Sequence, residues 1–421
     1  MASMDSVIHH DGPVADPFEI PKRIAEAGTS PVLFRNPFRT GEDVVSNLLA
    51  TKGALARCLG VDERELLRHI GRVSAKPSGT YREVGMDVYA GKGRARRPVL
   101  PAFQYYRSDA GRYVTSSIVI AKDPETSFVN MSVHRLLALD GNRFAVRMVE
   151  GRHLHRIFLK RKKAGEDMPV AVLVGAVPEV IFAACCQLEW GQSEVLMASS
   201  LSGGTLPVVS PPGLDFSVPA EAEYMLVGRI SREETAPERQ VDVLGTLDAQ
   251  RSQPVVRISR VYCKSDPVFH AILPGGYEHK VLMGTPRAAA VWSALEGAGI
   301  EVMDIGMTPG SGGWLHCVIS IKKNRATESR DAIMTAFNAH RSLKGVIIVD
   351  EDVNPNDYES VDFALATRLR AKGQLMAFHE LRGSTLDPSA NQETYATMKW
   401  GLDLTLGPKD ERGRFKRESV A

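Results

Sequence analysis

Six side chains in the middle of this 421-residue chain could do chemistry together: Asn130, Arg135, His153, Glu194, Glu238 and Asp242. An amide oxygen, an imidazole and a carboxylate suit a divalent cation such as Mn2+ or Mg2+. Such an ion would let a phosphate sit in a dry interior that could not hold its charge otherwise. A guanidinium between two carboxylates suits proton work, because the cation fixes the charge state of the acids beside it. Each residue also has an ordinary reading. His153 lies in Arg-His-Leu-His-Arg, where a half-buried histidine is commonplace and His155 competes with it. Glu194 could be an exposed helix carboxylate, Arg135 a surface cation at a strand end, and the acids around Glu238 a solvated loop.

Those residues need a scaffold. A chain of this length exceeds one hydrophobic core, so two or three domains are expected. At 43% hydrophobic and 24% charged, it has the composition of a soluble globular protein. A net charge of +2 gives no field for nucleic acid, and Lys160-Arg161-Lys162-Lys163 reads as a solvated helix end. No apolar run is long enough to span a bilayer, so no membrane partner is expected. The cysteines at 58, 185, 186, 263 and 317 form no CxxC pair and no zinc spacing, and no signal peptide is evident; reduced thiols in a cytoplasm are expected.

The first dozen residues read as a frayed end. A helix through Ile24 and Ala27 stops at Gly28, Pro31 to Phe34 reads as a buried strand, and residues 42–71 have helical apolar spacing. This N-terminal α/β region runs to about residue 100 through a basic connector, Gly91 to Arg97. From 101 to 285 short β-branched runs predominate: Tyr113–Thr115, Ser117–Ile120, Phe144–Val149, Val170–Val174, Leu206–Val209, Glu223–Ile230 and Val255–Val261, with a helix near 177–186. They suggest an antiparallel sheet or small barrel. Thr285-Pro286 opens a linker helix over 286–299 in N-cap and N1 order. Residues 300–421 make a second α/β unit whose last 20 residues read as an exposed tail or an arm on a neighbouring subunit.

Several blocks carry a family resemblance. They are Ile120-Ala121-Lys122-Asp123-Pro124-Glu125-Thr126 with Asn130 and Arg135, Met168-Pro169-Val170-Ala171-Val172, and Val218-Pro219-Ala220-Glu221-Ala222-Glu223. Three more follow: Ala271-Ile272-Leu273-Pro274-Gly275-Gly276, Asp350-Glu351-Asp352-Val353-Asn354-Pro355 and Lys399-Trp400-Gly401-Leu402-Asp403. In this order they resemble the UbiD family of reversible decarboxylases. The resemblance implies an N-terminal α/β region, a central split β-barrel like that of flavin reductases, and a C-terminal α/β domain that oligomerises, giving a homodimer or homohexamer. It also implies prenylated FMN, supplied by a flavin prenyltransferase and held through its phosphate by Mn2+ or Mg2+, with K+ nearby.

By the same resemblance Asn130, His153 and Glu194 match the metal ligands. Asn130, Ser132, Val133, His134, Arg135, Arg152, His153 and Cys186 match the cofactor site, and the carbonyls near Ala183, Ala184 and Cys186 the potassium site. Arg135, Glu238 and Asp242 match the catalytic set. The acid loop departs from the pattern. Relatives carry Glu-Gly-Pro-aromatic-Gly-Glu/Asp, with acids five apart; here Glu238-Arg239-Gln240-Val241-Asp242 sets them four apart, and Glu233 with Glu238 is the rival five-residue pairing. His270 either binds a second polar group of the substrate or is structural. The implied reaction is reversible loss of CO2 from an aromatic, heteroaromatic or α,β-unsaturated acid, with a small furan-dicarboxylate-like acid favoured. The alternatives are a hydroxybenzoate-type decarboxylase or a flavin-binding protein of the same fold without this activity.

Overall fold

A computed structural model of the chain describes residues 7–39, 41–89, 100–370, 373–407, 410–415 and 417. The connector expected at Gly91 to Arg97 lies outside them, as does part of the C-terminal tail. The described chain divides into two compact units, one of residues up to 63 and 72–282, the other of 64–71 and 283 onward.

The first unit is built on an eight-stranded sheet. Its ladder runs Tyr113–Val114, Leu136–Ala138, Arg143–Val146, Arg251–Cys263, Ala222–Glu238, Met168–Ala176, Ile118–Lys122 and Val129–Val133. The long antiparallel hairpin of Ala222–Glu238 with Arg251–Cys263 is its backbone, and the Met168–Ala176 strand, buried along most of its length, lies beside it. Tyr113–Val114 and Ile118–Lys122 are separated by three residues, and Val129–Val133 and Leu136–Ala138 by two. Across those interruptions the His134 amide donates to the Ser117 carbonyl at 3.0 Å. Each pair is thus one bent strand, broken at Thr115–Ser117 and at His134–Arg135; among the described residues the ladder is an open sheet whose edges are Tyr113–Val114 and Val129–Val133, not a closed barrel. The inner face is filled by Val119, Ala121, Leu136, Ala145, Val170, Val172 and Leu226, all essentially inaccessible to solvent.

A four-stranded sheet carries the N-terminal segment, and here two expectations fail. Ile8–Asp11 is not frayed; it pairs in parallel with Val32–Arg35, and the His10 ring stacks on Phe34. Residues 42–71 are not one helix. Asp43–Ser46 pairs antiparallel with Val32–Phe34 and parallel with Val268–His270, and helices follow at Lys52–Cys58 and Leu66–Ala75. The adjacent β-branched Val44 and Val45 pair across the sheet, and Asn47, with φ +60°, turns the chain away from it.

The second unit holds a five-stranded sheet in the order Val302–Met307, His316–Ile321, Gly345–Asp350, Ala396–Asp403 and Leu375–Arg382. Helices Glu328–Ala339 and Tyr358–Arg368 complete its α/β pattern. The expected exposed tail begins inside this core, where Leu404 and Leu406 are buried. The linker helix also starts earlier than its N-cap signal suggested. It spans Tyr277–Gly297 with Pro286 in its interior, at the loss of one backbone hydrogen bond. Among the described residues no helix is long and apolar enough to cross a membrane.

Candidate active site

Arg135 lies at the break between Val129–Val133 and Leu136–Ala138, where the ladder gives way and its side chain is free of strand alternation. Its Nε and Nη2 donate to the two oxygens of Glu238 at 2.8 and 3.1 Å, a bidentate fork. Its Nη1 reaches Asp242 Oδ2 at 3.3 Å. Glu238 ends the long strand with its carboxylate fully enclosed (0% exposed), and the Tyr113 hydroxyl donates to it at 3.0 Å. Asp242 keeps 20% of its side-chain surface, so of these two acids it is the one open to proton traffic.

Both acids reach the guanidinium because of their spacing. The hairpin continues irregularly past Glu238: the Val241 backbone bridges Leu247 and the Asp242 amide donates to Thr246 O. Side chains two and four residues apart on an extended segment share a face. Four-residue spacing therefore places Glu238 and Asp242 side by side without the longer turn. Glu233 is 79% exposed and pairs with Arg232, away from Arg135.

Asp248 belongs to the cluster and was not singled out in the sequence. It accepts from Arg135 Nη2 at 3.2 Å and Arg251 Nη1 at 2.6 Å, and Arg147 Nε lies 3.7 Å away. The only signal was an Asp three residues before an Arg, a pairing common on any surface. Burial pushes the Asp248 carboxyl up, but Arg251, Arg135 and Arg147 outweigh it and hold it below the usual carboxylate range. A depressed carboxyl contributes stability above its unfolded value and loses it as pH falls. Asp248→Asn should therefore lower the thermal midpoint at pH 7 and flatten its fall between about pH 4 and 2; parallel melting curves for both proteins across that range would remove the ion pairs from the account. His279 was also missed. Burial pushes its imidazole down despite the pull of Asp242, and its Nδ1 accepts the Gly275 amide at 3.1 Å, leaving Nε2 as the protonated nitrogen.

A second cluster forms around Asn130, on the strand that leads into Arg135. Asn130 sits on Val129–Val133, Glu194 opens the helix Glu194–Leu201 behind its Ser193 cap, and His153 opens the helix His153–Lys163. The helix N-terminus favours the Glu194 charge. His153 Nδ1 is 3.8 Å from Glu194 Oε1, Asn130 Nδ2 is 3.4 Å from the same oxygen, and the Met131 amide donates to Oε2 at 3.1 Å. Phe128 and Trp190 pack edge-on against the His153 ring. Glu194 is 2% exposed, and among the described residues no lysine or arginine compensates it.

The neighbouring histidine settles how Asn130 can act. Burial pushes His134 down to about 4, so its ring is neutral at pH 7. Its Nδ1 faces the Arg147 carbonyl at 2.8 Å and must donate, so Nε2 must accept from the Ser132 hydroxyl at 2.9 Å. That uses the one hydroxyl proton, and Asn130 Oδ1, 3.1 Å from Ser132 Oγ, stays available as a donor to a cation. An uncompensated buried carboxylate, an available amide oxygen and an imidazole fit a hard divalent ion. No group of three or more His, Cys, Asp or Glu is so placed among the described residues; the fit here depends on the amide.

The other expected site residues are less gathered. Ser132 and Val133 lie on the Asn130 strand, Val133 opposite Ile118. Arg152 is exposed at the start of the His153 helix, and His155 is tied to its own turn by the Gly151 amide. Cys186 caps helix Pro178–Cys185, its thiol 3.4 Å from the Phe182 carbonyl. His270 is buried, with Nε2 3.1 Å from Glu278, whose carboxylate also takes the Asn47 and Leu49 amides. This geometry is that of the structural alternative for His270.

Comparison with known proteins gives the family. The chain matches the 3-octaprenyl-4-hydroxybenzoate carboxy-lyase N-terminal, Rift-related and C-terminal domain models over residues 2–74, 95–277 and 280–404. It belongs to the UbiD family. It is 34% identical to the anhydromevalonate phosphate decarboxylase of Methanothermobacter thermautotrophicus, covering 96% of this chain and 95% of that one. It is 37% identical to the enzyme of the same name from Aeropyrum pernix, covering 94% and 91%. The UbiD-class enzyme HmfF from Pelotomaculum thermopropionicum, solved in complex with FMN, superposes with a TM-score of 0.92 at 29% identity over 99% of this chain and 94% of that one. An evolved dimeric form of HmfF has been solved with prenylated FMN. This UbiD protein is a carboxy-lyase of mixed α/β fold.

Proposed function

We propose that the protein uses prenylated FMN, delivered by a flavin prenyltransferase, to remove CO2 reversibly from an α,β-unsaturated acid carrying a phosphate. The observation that carries this reading is Arg135 forked onto Glu238 beside the more open Asp242, five residues along the chain from Asn130 of the Asn130–His153–Glu194 cluster. The relatives at 34% and 37% identity are both named for anhydromevalonate phosphate, so the phosphorylated aliphatic acid replaces the furan-dicarboxylate-like acid favoured in the sequence.

When bound, prenylated FMN supplies an electrophilic centre for the carbon–carbon double bond beside the carboxylate. Asn130, His153 and Glu194 would hold its phosphate through a divalent ion. The other work belongs to the chain. Arg135, Arg147 and Arg251 face Glu238, Asp242 and Asp248, three cations against three acids. With Asp242 protonated the cluster is one charge positive and receives an anionic acid. Glu238 keeps Arg135 in place, and Asp242 delivers its proton to the carbon that has lost CO2; in the reverse direction it removes that proton.

Asp242→Asn keeps the shape of the acid and removes its proton. Decarboxylation and deuterium exchange into product in D2O should both fall by about 10²–10⁴-fold in this variant. Glu233→Gln should match the wild type. An inactive Glu233→Gln beside an active Asp242→Asn would show that Asp242 is not the proton donor and that Glu233 takes the role.

A further inference from the structure

Between the two acids stands Gln240, 1% exposed, whose Nε2 has no hydrogen-bond acceptor among the described residues. Its backbone is committed: the Gln240 carbonyl accepts the Asp248 amide at 3.1 Å, and the neighbouring Val241 amide donates to Asp109. Alternation along Glu238–Asp242 puts Arg239 and Val241 on one face and Glu238, Gln240 and Asp242 on the other. The ladder supports this, because the extra residue between Glu238↔Arg251 and Val241↔Leu247 falls on the partner strand and leaves this strand in phase. The orphaned amide therefore lies on the face that carries the two acids bound to Arg135.

A buried donor without an acceptor is destabilising, and such groups are rare in folded proteins. Beside a functional cluster, a bound occupant is one partner that can complete it. The position narrows the occupant. Gln240 belongs to the acid cluster rather than to Asn130, His153 and Glu194, so the missing acceptor belongs to the group that meets the acids.

We infer that Gln240 is a substrate-contact residue whose Nε2 donates to an oxygen of the bound unsaturated acid. This rests on the decarboxylase reading above. In the free enzyme the same amide is a local cost, so affinity and stability should move in opposite directions when it is replaced by an apolar isostere.

Gln240→Met tests this in holoenzyme made with the flavin prenyltransferase, with anhydromevalonate phosphate as the probe. The variant should show KM and Kd raised roughly 10-fold or more, bound flavin equal to wild type, and a thermal midpoint unchanged or higher without substrate. Gln240→Glu, which replaces the donor amide with an acceptor-only carboxylate and adds a charge against an anionic acid, should bind more weakly still. Equal Kd for wild type and Gln240→Met would overturn the contact. So would a drop in bound flavin, which would move the amide to the cofactor, or a lowered midpoint with kcat and KM unchanged, which would make it structural. A wild type that neither binds nor turns over the probe sinks the decarboxylase reading and this contact with it; a wild type that does so while Gln240→Met binds equally sinks the contact alone.

Discussion

Arg135→Ala will abolish decarboxylation and destabilise the fold together. The guanidinium faces Glu238 and Asp248, which retain 0% and 5% of their side-chain surface, and without it both acids are buried against an incomplete set of cations. Breaking a buried pair on one side typically costs about 3–5 kcal/mol, because the surviving charge stays desolvated. Loss of a preorganised charged donor costs on the order of 10²–10³-fold in rate, before any loss of substrate binding. Arg135→Lys separates the two effects. A lysine restores a charge near the acids but cannot span both oxygens of Glu238, so part of the stability should return while activity stays low. Thermal melts beside turnover assays check this, and an Arg135→Ala protein as stable as wild type would show that the acids are not held by this arginine.

Glu194→Gln should have the opposite signature. Its carboxylate is buried beside an amide, a backbone N–H and an imidazole, without a lysine or arginine among the described residues. Glutamine can still accept the Met131 amide while shedding a charge that is costly to bury, so the metal-free protein should melt at the same temperature or higher. Retained metal and flavin should fall about 10-fold or more, and His153→Ala should do the same. Elemental analysis with flavin quantification reads both. Manganese undiminished in either variant removes that residue from the cluster.

The local signals in the sequence were strong where periodicity was strong. The buried runs Val170–Val174 and Glu223–Ile230 are strands. Spacing misled where two periods coincide: Val44, Val45, Leu48 and Leu49 fit a helix face, yet the first two pair in a sheet whose other members are distant in the chain. Pro286 carried a start signal into a helix that begins nine residues earlier, since a proline is tolerated inside a helix that packing secures elsewhere. In the candidate site, residues on one short segment, Asn130 to Arg135, were legible from their motif. Asp248 was not, because what distinguishes it is three guanidiniums brought together from different parts of the fold. The shortened acid loop becomes intelligible only once the hairpin is seen to continue through it, where even spacing keeps both acids on one face.

The most direct measurement is CO2 release from anhydromevalonate phosphate by two preparations of this protein, one made with the flavin prenyltransferase and one loaded with unmodified FMN. Release confined to the first preparation, and absent from its Asp242→Asn counterpart, is the expected result. Equal release from both preparations, or none from a preparation verified to hold prenylated FMN and metal, would contradict the proposed function.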